Sequence, residues 1–162
     1  MVKVNLLLVD DEPDVLEVWK NYFSYNTFNI HEATSGEAAV RIVDQIKRER
    51  EARLLFVLLD VKMPGLNGLK VLEEIKRQVP NSKIFIITGN IEDKDIPNTA
   101  YMTGKYGGDG FYEKSKIDFD ALRDNIYTFI KKEKMKLTQI HKLRNSLEKM
   151  GASVQIEYPY KL

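Results

Sequence analysis

Apolar residues along this chain fall into two alternating kinds of stretch. Val4-Asn5-Leu6-Leu7-Leu8-Val9, Leu54-Leu55-Phe56-Val57-Leu58-Leu59 and Lys83-Ile84-Phe85-Ile86-Ile87 are short, nearly continuous runs. Their length and composition predict strands of a parallel sheet covered on both faces. Asn29 to Ala33 and Gly110 through Glu113 read as two further strands. Between the runs the spacing changes to that of helices. Pro13 suits a first helical turn, and Val15, Leu16, Val18, Trp19, Tyr22 and Phe23 follow as a broad apolar face. Thr34 and Glu37 stand at capping-box spacing ahead of Ala39, Val43 and Ile46. The charged stretch from Lys47 to Arg53 then reads as a solvated helix end. After the break at Pro64-Gly65, a helix from about Asn67 to Gln78 places Leu69, Leu72 and Ile75 on one side. Pro80-Asn81 marks a turn. Pro97 opens a helix that Gly104, Gly107 and Gly108 keep short.

Five β-α repeats predict an α/β fold by the right-handed crossover rule. The expected form is a doubly wound five-stranded parallel sheet of order 2-1-3-4-5, flanked by helices and followed by an extended C-terminal helix. Ligands of such sheets bind beyond the carboxyl ends of the strands. Polar residues stand there in this chain: Asp10 and Asp11, Asp60, Thr88 and Lys114. An Asp-Asp pair alone is commonly a helix cap or a solvated turn, and the signal is the coincidence at matching strand ends. Three carboxylates at close quarters repel one another and call for a cation. Oxygen-only ligands select a hard ion, Mg²⁺ (or Mn²⁺). With the ion held by Asp10 and Asp11, Asp60 is the carboxylate best placed to attack phosphorus. Lys114 would pair with a phosphoryl oxygen, and Thr88 would donate a hydrogen bond to another.

Composition narrows the classes without naming one. The chain has 162 residues, 43% hydrophobic and 30% charged, which fits an ordinary domain with an appendage. No cysteine is present, so thiolate metal sites and disulfides are excluded. His31 and His141 are far apart and form no ligand pair; both read as structural. No apolar stretch approaches the ~20 residues of a bilayer span, and the expectation is a cytoplasmic protein with no membrane contact. The net charge of +1 hides an asymmetry: eight basic and three acidic residues follow position 130, against 17 and 21 before it.

Several segments together resemble a response-regulator receiver domain of the CheY-like, flavodoxin-like superfamily. They are Leu8-Val9-Asp10-Asp11-Glu12-Pro13, Ala33-Thr34-Ser35-Gly36-Glu37-Ala38, Asp60-Val61-Lys62-Met63-Pro64-Gly65, Ile87-Thr88 and Gly107 through Lys114. The resemblance implies a two-component phosphorelay component with Asp60 as phospho-acceptor. It implies Asp11 as direct metal ligand with Asp10 assisting, and the Lys62 backbone carbonyl as a further metal contact. It makes Lys114 the phosphate-binding lysine and Thr88 with Phe111 the switch pair. Histidine kinases or phosphotransfer proteins are the implied donors. The chain departs from the family pattern in four places. Ser115 follows Lys114 where Pro with a cis bond is usual, so a trans bond is expected. Phe111, unlike Tyr, has no hydroxyl. Gly89 stands for the commoner Ala, and the interval from Thr88 to Lys114 is longer than usual. Lys62 and Asn90, two positions after Asp60 and Thr88, are expected to tune hydrolysis of the phosphoryl group.

The reading is a signalling switch in residues 1–130, with self-phosphorylation and dephosphorylation chemistry but no separate substrate. A Mg²⁺-dependent phosphohydrolase using Asp10 with Glu12 is one alternative, and a phosphorylation-independent dimerisation scaffold is another. In the 131–162 extension, Ile140, Leu143, Leu147 and Met150 continue the heptad frame of Phe119, Leu122, Ile126 and Phe129 across Glu133 and Lys136. A homodimerisation helix and a truncated linker both fit this pattern. The ~30 residues are too few for a helix-turn-helix domain, so DNA binding within the chain is not expected.

Overall fold

The computed structural model describes residues 4–24, 28–48, 54–65, 67–89, 96–153 and 155. Its elements are β1 (Val4–Val9), α1 (Pro13–Phe23), β2 (Phe28–Ala33), α2 (Gly36–Arg48) and β3 (Leu55–Leu59). They continue as α3 (Gly68–Gln78), β4 (Lys83–Thr88), α4 (Ile96–Lys105), β5 (Gly110–Glu113) and α5 (Phe119–Lys149). The strands form one parallel sheet in the order β2-β1-β3-β4-β5, the expected doubly wound order.

Alternation along the strands divides the core in two. Leu7 and Val9 of β1, Leu55, Val57 and Leu59 of β3, and Ile84 and Ile86 of β4 share a buried cluster. Ala39, Val43 and Ile46 of α2 and Val71, Leu72 and Ile75 of α3 complete it. The intervening Leu6, Leu8, Phe56 and Leu58 are equally buried. α1 packs on β1 and β2 and buries Leu16, Trp19 and Phe23. This is why the central runs lack polar alternation: both faces are covered.

Two local details differ from the sequence pattern. The cap of α2 is Ser35, whose Oγ accepts from the Ala38 N–H at 3.2 Å, and not a Thr34–Glu37 box. The helix begins one residue later than the box requires, at Gly36, so Ala38 occupies the third helical position. Glu37 instead turns its carboxylate toward the Gly65 turn, where an added Cβ would lie 3.4 Å from Glu37 Oε1. α4 does end at Lys105, and Gly107 takes φ +84 in the turn that follows.

At the sheet end opposite the strand-end acids, Asp109 joins three elements. Its carboxylate accepts from Lys76 Nζ of α3 at 2.9 Å, Lys83 Nζ of β4 at 2.7 Å and the Ile84 N–H at 2.9 Å. Burial works against its ionised form, but the two ammonium groups and the backbone N–H outweigh it and hold the pKa below the usual 3.8. A depressed carboxylate stabilises the fold above its unfolded pKa, and that stability is lost as pH falls through the folded value. Asp109→Asn is therefore expected to cost about 1 kcal/mol at pH 7, discounted for partial exposure. Urea denaturation of the two proteins should converge below pH 3.8. An equal gap at all pH values would show that the charge is not what matters.

The residues from Asp118 form a separate compact unit. Asp118 Oδ1 caps α5 by accepting from the Ala121 N–H at 3.0 Å. Leu122, Ile126, Ile130 and Glu133 are its buried residues. The helix runs unbroken, as expected, through the interruption of the heptad frame, where Lys136 Nζ pairs with Glu133 Oε1 at 2.6 Å one turn away. Further along, Leu143 is 60% and Met150 81% exposed. Gly151, at φ +85, closes the helix, with the Ala152 N–H donating to the Leu147 carbonyl at 3.1 Å. Among the described residues, no helix is long and apolar enough to cross a membrane.

Candidate functional site

Parallel pairing continues one residue past several strand ends, and that extension seats the polar groups. The Asp10 N–H donates to the Ala33 carbonyl at 3.1 Å, the Asp60 N–H to the Val9 carbonyl at 2.9 Å, and the Lys114 N–H to the Thr88 carbonyl at 2.9 Å. The backbones of Asp10, Asp60 and Lys114 are thus fixed by the sheet itself. Side-chain turns then aim the carboxylates. Asp10 Oδ1 accepts from the Glu12 N–H at 3.0 Å, and Asp60 Oδ1 from the Lys62 N–H at 2.8 Å.

The Lys114 ammonium bridges the two acids, 2.6 Å from Asp10 Oδ2 and 2.7 Å from Asp60 Oδ2. Glu12 Oε1 stands 3.6 Å from the same ammonium. Burial pushes Lys114 toward losing its proton, but its ion pairs with Asp10 and Asp60 outweigh it and leave the pKa above the ordinary 10.5. Asp10 shows the opposite balance. Its burial raises the pKa above 3.8 despite Lys114 and the Glu12 N–H.

Asp10, Asp11 and Asp60 offer oxygens that all lie within 4.8 Å of one another. Asp10 Oδ2 is buried and, although close to Lys114, makes no hydrogen bond of good geometry. A clustered all-oxygen donor set with one under-satisfied anionic atom fits a hard divalent ion. The adjoining cleft has a volume of ≈ 530 Å³ and is lined by Glu12, Asp60, Lys62, Gly89, Lys114 and Ser115.

The other sequence-derived candidates are placed as follows. Thr88 is buried at the end of β4, with its Oγ1 3.5 Å from the Gly89 carbonyl, a long contact. Phe111 sits on β5 opposite Ile86, half-buried against the core. Lys62 lines the cleft, and Asn90 lies outside the described residues. No cis peptide bond occurs among the described residues, in line with the expected trans bond before Ser115. The sequence pattern gives Trp19 only a place on an apolar helix face, yet Lys114 Nζ lies 6.0 Å from its ring centroid. Glu12, which the sequence brings in only for the alternative phosphohydrolase, faces the lysine. Gly68 carries no signal in the spacing of residues, yet an added Cβ there would lie 2.3 Å from Val61 Cα.

A five-stranded 2-1-3-4-5 sheet with an acid triad and a lysine at its carboxyl edge defines a class of phosphorylation-dependent signalling domains. Residues 6–127 match the response regulator receiver domain family, and the chain belongs to that family. The response regulator SaeR of Staphylococcus aureus (strain USA300) is 28% identical over 130 residues, covering 79% of this chain and 52% of the relative. The chain thus spans about half the length of the curated relatives it matches. The receiver domain of a Clostridium thermocellum response regulator superposes with a TM-score of 0.66 at 26% identity, covering 82% of this chain and 98% of that one. A CheY-like receiver domain protein from Methanospirillum hungatei JF-1, 18% identical, shares the fold with a TM-score of 0.66 over 83% of this chain and 99% of its own. Receiver domains of two-component systems take a phosphoryl group on an aspartate and switch conformation, and the family binds Mg²⁺ at an acidic cluster.

Proposed function

We propose that Asp60 is the phospho-acceptor of this receiver, with a phosphohistidine of a histidine kinase or phosphotransfer protein as donor. The observation that carries this is Asp60 itself: a buried carboxylate at the cleft, held by the Lys62 N–H and the Lys114 ammonium. Asp10, Asp11, Asp60 and the Lys62 backbone carbonyl would hold Mg²⁺ (or Mn²⁺). A divalent ion bound there supplies positive charge against the negative charge of the transferring phosphoryl group.

The protein's own part is nucleophilic and electrostatic. An Asp60 carboxylate oxygen attacks phosphorus in line with the departing imidazole nitrogen, forming the acyl phosphate as the P–N bond breaks. Phosphorylation takes the side chain from a charge of −1 to about −2. Lys114 follows that charge, and the Thr88 hydroxyl donates to a phosphoryl oxygen. The space Thr88 leaves is then open to Phe111, whose two positions differ by packing alone. Lys62 and Asn90 are assigned to the lifetime of the acyl phosphate. Lys62 at the cleft wall supports half of that pair.

Residues 1–130 are assigned to the receiver and 131–162 to an extension that forms a homodimer through α5. The exposure of Leu143 and Met150 supports a missing partner helix. Intact mass spectrometry after treatment with acetyl phosphate and Mg²⁺ tests the first assignment: one phosphoryl group is expected, released by hydroxylamine. Solution mass with and without beryllofluoride and Mg²⁺ tests the second. The expected result is a dimer that Leu143→Lys reduces to a monomer. A monomer under both conditions would remove the dimer assignment.

A further inference from the structure

Lys114 is held by more than its two carboxylates. Its ammonium lies over the ring of Trp19, 6.0 Å from the centroid, and Trp19 is almost fully buried. Its stem runs across Gly89. A Cβ added there would stand 3.3 Å from Lys114 Cδ, 3.8 Å from Cβ and 3.9 Å from Cγ. A glycine below the stem and an indole face beside the charge make a fitted seat. In that seat the ammonium lies between Asp10 Oδ2 and Asp60 Oδ2.

We propose that Trp19 and Gly89 are positioning residues that hold Lys114 as the resting cation of the acid cluster, and thereby set the Mg²⁺ concentration at which the site fills. The proposal rests on the reading of Asp10, Asp11 and Asp60 as a divalent-cation site. The ammonium and a divalent ion draw on the same two carboxylates, so whatever favours the seated ammonium opposes ion entry. The negative face of an indole attracts an ammonium most strongly where water is excluded, as at a ring this deeply buried. Trp19 lies on α1, the element that follows the Asp10-Asp11 turn, so Asp10 and the aromatic wall of the seat come from one stretch of chain.

Calorimetric titration of the full chain with MgCl₂ at constant ionic strength tests this on wild type, Trp19→Phe, Trp19→Leu and Gly89→Ala. Trp19→Leu removes the π-face but keeps an apolar side chain, and is expected to tighten Mg²⁺ binding by about fivefold. Trp19→Phe keeps a π-face and should stay within about twofold of wild type. Gly89→Ala pushes the stem aside and should tighten binding by about threefold to fourfold. The sequence contains one tryptophan, so wild-type fluorescence reports on this ring alone. It should change with the calorimetric midpoint as Mg²⁺ displaces the ammonium, and should stay flat in Lys114→Met. Wild-type affinity in both Trp19→Leu and Gly89→Ala overturns the proposal while leaving the cation site standing. If Trp19→Leu does not fold, unchanged affinity in Gly89→Ala with a flat wild-type fluorescence overturns it equally. Failure of the wild type to bind Mg²⁺ would remove the cation site and this proposal together.

Discussion

Asp60→Asn is expected to abolish covalent phosphoryl uptake, with a fall of at least about 10⁴-fold to below detection. The amide nearly matches the carboxylate in size, so the β3 end and its turn should survive. What it lacks is the anionic oxygen that attacks phosphorus. The remaining geometry makes the loss sharper. In the native side chain Oδ1 accepts from the Lys62 N–H at 2.8 Å while Oδ2 faces Lys114 Nζ at 2.7 Å. An amide has one oxygen for those two donors, and its NH₂ group must point at one of them. Either Lys114 or the loop N–H is left facing a donor. Stability should shift only modestly, because the lost ion pair is offset by relief of repulsion from Asp10 and Asp11. Intact mass after acetyl phosphate and Mg²⁺ is the measurement. Uptake at the wild-type rate would move the nucleophile to Asp10 or Asp11 and reopen the Asp10–Glu12 phosphohydrolase reading.

Gly68→Ala is expected to destabilise the protein by about 2–4 kcal/mol, the range of severe overpacking and backbone conflicts. An added Cβ would lie 2.3 Å from Val61 Cα and 2.9 Å from the Asp60 carbonyl oxygen. Both neighbours are backbone atoms, so no rotamer change relieves the clash and either α3 or the loop after β3 must move. For a chain of this length the melting temperature should fall by roughly 5–15 °C. The displaced loop carries Lys62, whose N–H orients Asp60, so phosphoryl uptake should weaken even in the folded fraction. A urea-derived change below 0.5 kcal/mol, within the range of ordinary surface substitutions, would show that this contact yields freely.

The strands β1, β3 and β4 were legible because burial on both faces leaves nearly continuous apolar runs, and the helices because burial on one face leaves a period. The doubly wound class followed from the alternation of elements, and the strand order from the common order of such sheets. The five polar positions at the carboxyl edge were legible for the same reason, since each stands at the end of a strand or within two residues of it. The start of α2 was not, because Thr34 and Ser35 are both competent caps and their order in sequence cannot say which begins the helix. The extent of α5, up to Gly151, was legible; what the apolar frame does not register is that Glu133 and Lys136, which interrupt it, pair across one turn.

The sequence by itself determined the sheet, its order and the chemical identity of the strand-end groups, because hydrophobic period and strand-end position are properties of near neighbours along the chain. Only the tertiary structure decided which of those groups touch and how they are held. The bridging of Asp10 and Asp60 by Lys114 and the indole beside its ammonium depend on distances of a few ångströms between distant segments. Parallel register and packing density set such distances, and neither is written in the local spacing of residues.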